Sequence, residues 1–160
     1  MNSEVLEGHL QHHWTGATGG VAFFDRVART LPDREAAAQV RDIAREVNDD
    51  RESLRRIMVS LGFPPSRTGA LVARAGEWVG RFKPNGRVIS RSPLTDVLEL
   101  EALRDAVSAK RIGWQLLREL AEHDGRIDPR HVQGLLDRAD SQLDRLQQLH
   151  LQVAMDRILE

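Results

Sequence analysis

GFPPSRTGALVARAGEWVGRFKPNGRVISR, residues 62–91, separates two pairs of long amphipathic segments, and its length decides which bundle they build. On both sides of it apolar residues recur with a period near 3.6 and never alternate strictly, so the chain reads as all-α. Ahead of it, a helix from about Ser3 to Arg29 ends at Leu31-Pro32-Asp33. Asp33 can cap a second helix, whose seam is Ala36, Val40, Ile43, Val47, Leu54, Ile57 and Leu61. Behind it, a third helix starts at Ser92-Pro93 and ends near His123. The fourth follows Asp128-Pro129 and turns Val132, Leu136, Ala139, Leu143, Leu146 and Val153 inward. Helices joined by only a few residues must form antiparallel hairpins, whereas some thirty residues can run the full height of a bundle of ~42 Å helices. The prediction is one domain over residues 1–160: a four-helix bundle of two antiparallel hairpins joined by a long crossover, about 62–92. That crossover is expected to hold a short helix (Gly69–Arg81) and the turn Lys83-Pro84-Asn85-Gly86. A plain up-down bundle with a decorated loop is the competing topology.

At 160 residues with 41% apolar content the chain can bury its own core. A balance of 23 basic against 24 acidic residues leaves no overall basic field for nucleic acid. The absence of cysteine removes disulfides, thiolate metal sites and cysteine nucleophiles. No apolar run reaches the ~18 residues of a membrane span, and the first ten residues lack a signal-peptide layout, so a cytoplasmic protein is expected. The crossover itself carries Arg67, Arg74, Arg81, Lys83, Arg87 and Arg91 against Glu77, a local charge of +5 that reads as an exposed connector. The expected partner is a second copy of the chain or an unidentified protein, with no membrane and no nucleic acid.

The short, long, short series of connections, with Asp49-Asp50-Arg51-Glu52-Ser53-Leu54-Arg55-Arg56 near the end of the second helix, resembles the ferritin-like superfamily over the whole chain. In ferritin-like carboxylate proteins the second and fourth helices each carry Glu-x-x-His and the first and third each supply a Glu, together holding two iron or manganese ions. In this sequence Val47 and Asp50 stand at the glutamate and histidine positions of the second helix. Ala139-Asp140-Ser141-Gln142-Leu143 in the fourth contains no histidine. The resemblance therefore implies the bundle without its dimetal ligands: an interaction or structural module with no catalytic residue and no cofactor. The alternative is a metal-binding or metal-dependent oxidase or storage protein using iron, manganese or zinc at a rearranged site.

Projecting each helix at 100 degrees per residue leaves few polar groups facing inward. They are His9 and His13 on the first helix, Asp50 on the second, Glu99 and Lys110 on the third, and His150 on the fourth. Lys110 is conspicuous because the chain has 23 basic residues and only Lys83 and Lys110 are lysines; a compact ammonium suits a tight core position. With the crossover topology, His13, Asp50 and Lys110 share one layer with His9 a turn below, and Glu99 and His150 share another. Asp50–Lys110 and Glu99–His150 are then the expected buried pairs. Lys110 reaching the bundle edge, with Asp50 paired to Arg51 or Arg45, is the alternative. In the up-down topology His9, His13, Asp50, Glu99 and His150 would instead converge as a candidate metal site. Gly16-x-x-x-Gly20 would admit a close backbone or a bulky neighbour such as Trp114.

Overall fold

A computed structural model of the chain describes residues 2–66 and 91–159, which form four helices and no strand: α1 (Ser3–Thr30), α2 (Arg34–Ser60), α3 (Pro93–Leu120) and α4 (Pro129–Leu159). The short helix expected over 69–81, the turn at 83–86 and all the basic connector residues except Arg91 lie outside the described residues. Among the described residues no helix is long and apolar enough to cross a membrane.

The helix ends follow local chemistry. Asn2 caps α1, its side chain accepting from the Val5 amide at 3.2 Å. Asp33 accepts from the amides of Glu35 and Ala36 at 2.8 and 2.9 Å, satisfying two donors that have no partner within the helix. At the other end of α2, Gly62 adopts φ 86° while its amide bonds Val59 and the Phe63 amide bonds Met58, a Schellman closure that needs the left-handed conformation glycine tolerates. Pro93 opens α3, where the missing N–H is no loss.

Side-chain contacts fix the direction of each helix. Arg26 near the end of α1 meets Glu99 near the start of α3, and His13 lies against Gly113 further on, so α1 and α3 are antiparallel. Glu46 meets Arg145 while Asp50 meets Arg138, so α2 and α4 are antiparallel as well. It follows that α3 runs parallel to α2, with the last turn of α2 and the first of α3 at opposite ends of the bundle. The Gln11 side chain bonds the Pro64 carbonyl and the Ser66 amide, both at 3.0 Å, so the chain leaving α2 already turns back along α1. Each helix packs on two antiparallel neighbours around a core that includes Leu10, Phe23, Phe24, Val40, Ile43, Leu103, Leu146 and Leu149.

Candidate functional site

The apolar seam of α2 is broken by Asp50, which is 1% exposed. A buried carboxylate must be paired and hydrogen-bonded to remain charged. Lys110 of α3 donates to one Asp50 oxygen and also to the Gln142 carbonyl oxygen. Gln142 of α4 returns its amide to the same Asp50 oxygen at 3.2 Å and to Glu46 at 3.1 Å. Arg138 faces the other Asp50 oxygen, and Arg145 donates to Glu46. Three cations and two carboxylates from α2, α3 and α4 thus close on one amide, forming a cross-braced centre where no apolar seam would need one.

The electrostatics of the cluster follow from its burial. Desolvation pushes the Lys110 ammonium below the usual lysine range, and Arg138 adds to that, while Asp50 and Glu46 oppose it. Burial works to raise the Glu46 carboxyl, but the hydrogen bonds from Arg145 and Gln142 outweigh it and hold the group below its ordinary range.

A second charged cluster sits where the connector meets α3. Asp96 and Glu99, each 2% exposed, face Arg91 together. Arg26 adds a bond to Glu99 at 2.6 Å, Arg157 one to Asp96 at 3.2 Å, and Arg91 reaches the Thr30 hydroxyl at 2.8 Å. This cluster ties the ends of α1 and α4 to the first turns of α3.

Beside the Asp50 centre lies a cavity of about 690 Å³ between α1, α2 and α3, within the size range of small-molecule sites. His9 and His13 line it with their ring centroids 4.5 Å apart, and His12 is 5.7 Å from His13. His13 fits because Gly113 opposite has no side chain: a Cβ there would come within 3.0 Å of the imidazole. Burial, then the neighbouring His9 and His12, pull the His13 pKa down to about 4. Burial and His12 lower that of His9. At neutral pH both rings are therefore uncharged.

That shift has a thermodynamic consequence. An unfolded chain protonates the His13 imidazole near 6.5 whereas the folded chain resists until about 4, so between those values the unfolded state holds more protons. Stability is expected to fall as pH drops from about 6.5 toward 4, and His13→Gln is expected to flatten that part of a melting-temperature profile. A profile with the same slope in both proteins would show that His13 is not its source.

The structure brings some of the expected groups together and separates others. His13, His9, Asp50 and Lys110 all line the one cavity, and Lys110 contacts Asp50 directly. Glu99 and His150 do not pair. They share a layer, but Glu99 turns inward to Arg26 and Arg91, while His150 bonds Glu101 at 3.1 Å on the outer face of the α3–α4 hairpin. Glu99 and Glu101 are two residues apart, about 200 degrees around a helix, which puts them on opposite sides. The five candidates His9, His13, Asp50, Glu99 and His150 therefore do not converge. Among the described residues no three histidine or carboxylate side chains are arranged to hold a metal ion. Among the described residues, Gly16 and Gly20 meet neither a neighbouring backbone nor Trp114, since a Cβ on either would contact nothing there within 4 Å.

The inward position of Gln142 is legible in the sequence. Leu135, Ala139, Gln142, Leu146, Leu149 and Val153 are the buried series of α4, with alternating spacings of four and three, and a seam through Leu136 and Leu143 steps off it. Asp96 likewise precedes Leu103 by one heptad on α3. Arg26, Arg91, Arg138 and Arg145 gave no such signal, because long side chains reach inward from positions at the edge of the core. No protein-family model, curated protein or solved structure matches this chain.

Proposed function

We propose that the protein is a ferritin-like bundle in which a permanent ion cluster stands in the place of a dimetal centre, and that it acts as a non-catalytic interaction or structural module. The observation that carries this reading is Lys110, an ammonium held between Asp50 and Gln142 in the interior. A cation tethered to the chain neutralises the buried carboxylate that would otherwise attract a metal ion, and Arg138 completes the neutralisation. The parallel course of α2 and α3 supports the ferritin-like topology, since only the long crossover allows it.

One observation favours a second reading. The His9 and His13 rings adjoin one another and are neutral at pH 7, the protonation state in which imidazole binds zinc or iron. Both readings are tested by anaerobic titration with ferrous iron, manganese and zinc, following metal content and melting temperature. The ion-cluster reading expects no stoichiometric metal and no thermal shift. A stoichiometric metal that raises the melting temperature, and is lost in His13→Ala, would replace it with a histidine metal site.

A further inference from the structure

The outer surfaces of the four helices differ. Among the described residues, α1 and α2 expose only Val5 and Val59 as large apolar side chains, whereas α3 and α4 expose eight. On α3 these are Leu94, Leu98, Ile112 and Leu116, with exposures of 62, 47, 60 and 39%. Leu98 and Ile112 each lie seven residues from Asp105, and Leu94 and Leu116 each lie eleven. Steps of seven and of eleven residues both return an α-helix to within about 20 degrees of its starting direction. The four side chains therefore form one outward stripe, about 33 Å long, that reads the same in either direction from Asp105.

At one end of the stripe α4 widens it. His150 bonds Glu101 at 3.1 Å and Arg104 donates to Gln147 at 3.3 Å, so on the antiparallel α4 Leu151 stands about level with residue 100 of α3. Met155 follows one turn nearer the start of α3. Leu151 and Met155, 55 and 53% exposed, thus flank Leu98 and Leu94 in an apolar bed two helices wide. At the other end α4 turns Asp137 and Ser141 outward, and Ile112 and Leu116 stand as a single apolar ridge. In the middle, Arg104 and Asp105 border the same groove between α3 and α4, and neither has an oppositely charged partner among the described residues. The described ends of the connector are held on α1, at Gln11 and Thr30, and α1 does not touch α4. The side that α3 and α4 share is therefore the one opposite α1 and α2.

We propose that this side is the interface of a homodimer: a second copy docks antiparallel about a two-fold axis through Asp105, and the ridge of each copy enters the bed of the other. A two-fold interface must match itself, and a stripe symmetric about one residue does so. Ile112 and Leu116 of one copy then face Leu98 and Leu94 of the other, with Leu151 and Met155 closing the contact. On the axis Arg104 of each copy meets Asp105 of the other, so the two unmatched charges are satisfied reciprocally. Six half-exposed aliphatic side chains amount to on the order of 600 Å² per subunit, at the top of the range for the largest patch on a monomer. That is close to the apolar share, about 65%, of a standard interface of about 800 Å² per partner. The inference rests on the reading of the protein as an interaction module and gives that module its partner. None of its residues belongs to the ion cluster, so a metal-free monomer would overturn this interface alone and a metal-binding dimer the cluster reading alone.

Analytical ultracentrifugation of the full chain is expected to give twice the 18.0 kDa of one chain. Leu98→Lys and Ile112→Glu each put a charge into both apolar contacts and are each expected to weaken the dimer about a hundredfold, about tenfold per contact. An equimolar mixture of the two variants is expected to dimerise again, because one contact then sets a lysine against a glutamate and the other is unaltered. That rescue requires an antiparallel pairing of position 98 with position 112. Val59→Glu, at a position of similar exposure on α2, is expected to leave the dimer unchanged. Both interface positions are at the surface, so the helical circular-dichroism signal of each variant is expected to be kept. A chain that stays monomeric at about 0.1 mM, a dimer indifferent to Leu98→Lys, or folded variants that do not associate when mixed would each overturn the proposal.

Discussion

Asp50→Leu is expected to lower stability by about 3–5 kcal/mol, the usual loss when one partner of a buried ion pair is removed. Two cations converge on this carboxylate, and the substitution leaves both facing a hydrocarbon side chain. Lys110→Met is expected to be milder, because Arg138 and the Gln142 amide still hold Asp50. The double variant, Asp50→Leu with Lys110→Met, is expected to recover at least half of the loss. With both buried charges removed no counterion is needed there, and the Arg138 side chain, 35% exposed, can turn to solvent. Chemical denaturation of the four proteins checks this. A double variant whose loss equals the sum of the two single losses to within ~0.5 kcal/mol would mean that Asp50 and Lys110 are not coupled.

The second large effect is expected at Glu99, with Glu101 as its control. Glu99→Ala removes a 3%-exposed carboxylate from between Arg26 and Arg91, and a loss of about 3 kcal/mol is expected. The figure lies at the low end because both arginines retain a path to water, at 31% and 22% exposure. Glu101→Ala, two residues away, removes only the half-exposed partner of His150 and is expected to change stability by under ~1 kcal/mol. Hydrogen exchange adds a local signature: Glu99→Ala is expected to speed exchange in the last turn of α1 and the first of α3, where Arg91 joins Thr30, Asp96 and Glu99. Equal losses from the two substitutions would contradict the inward placement of Glu99.

Taken alone, the sequence determined the four helices, the cap at Asp33, the start of α3 at Pro93, and the inward placement of Asp50, Glu99 and Lys110. These rest on short-range regularities, a 3.6-residue period and the satisfaction of terminal amides, which a linear reading can follow. Inward-facing charge also has to find partners, so helix rise combined with the crossover topology places Lys110 at the height of Asp50. A layer says nothing about faces. Pairing Glu99 with His150 fails because His150 turns outward to Glu101, and the five-residue metal set, which needs the up-down topology, dissolves because α3 runs parallel to α2 and puts Glu99 beside Arg26, far from the layer of His13 and Gly113. Only the tertiary structure decided which arginines reach into the core, that Gln142 joins the cluster, and that a cavity opens between α1, α2 and α3 beside Trp114. Those features depend on interhelical distance and on the reach of long side chains between neighbours, quantities set by how four helices pack together and written in no single helix.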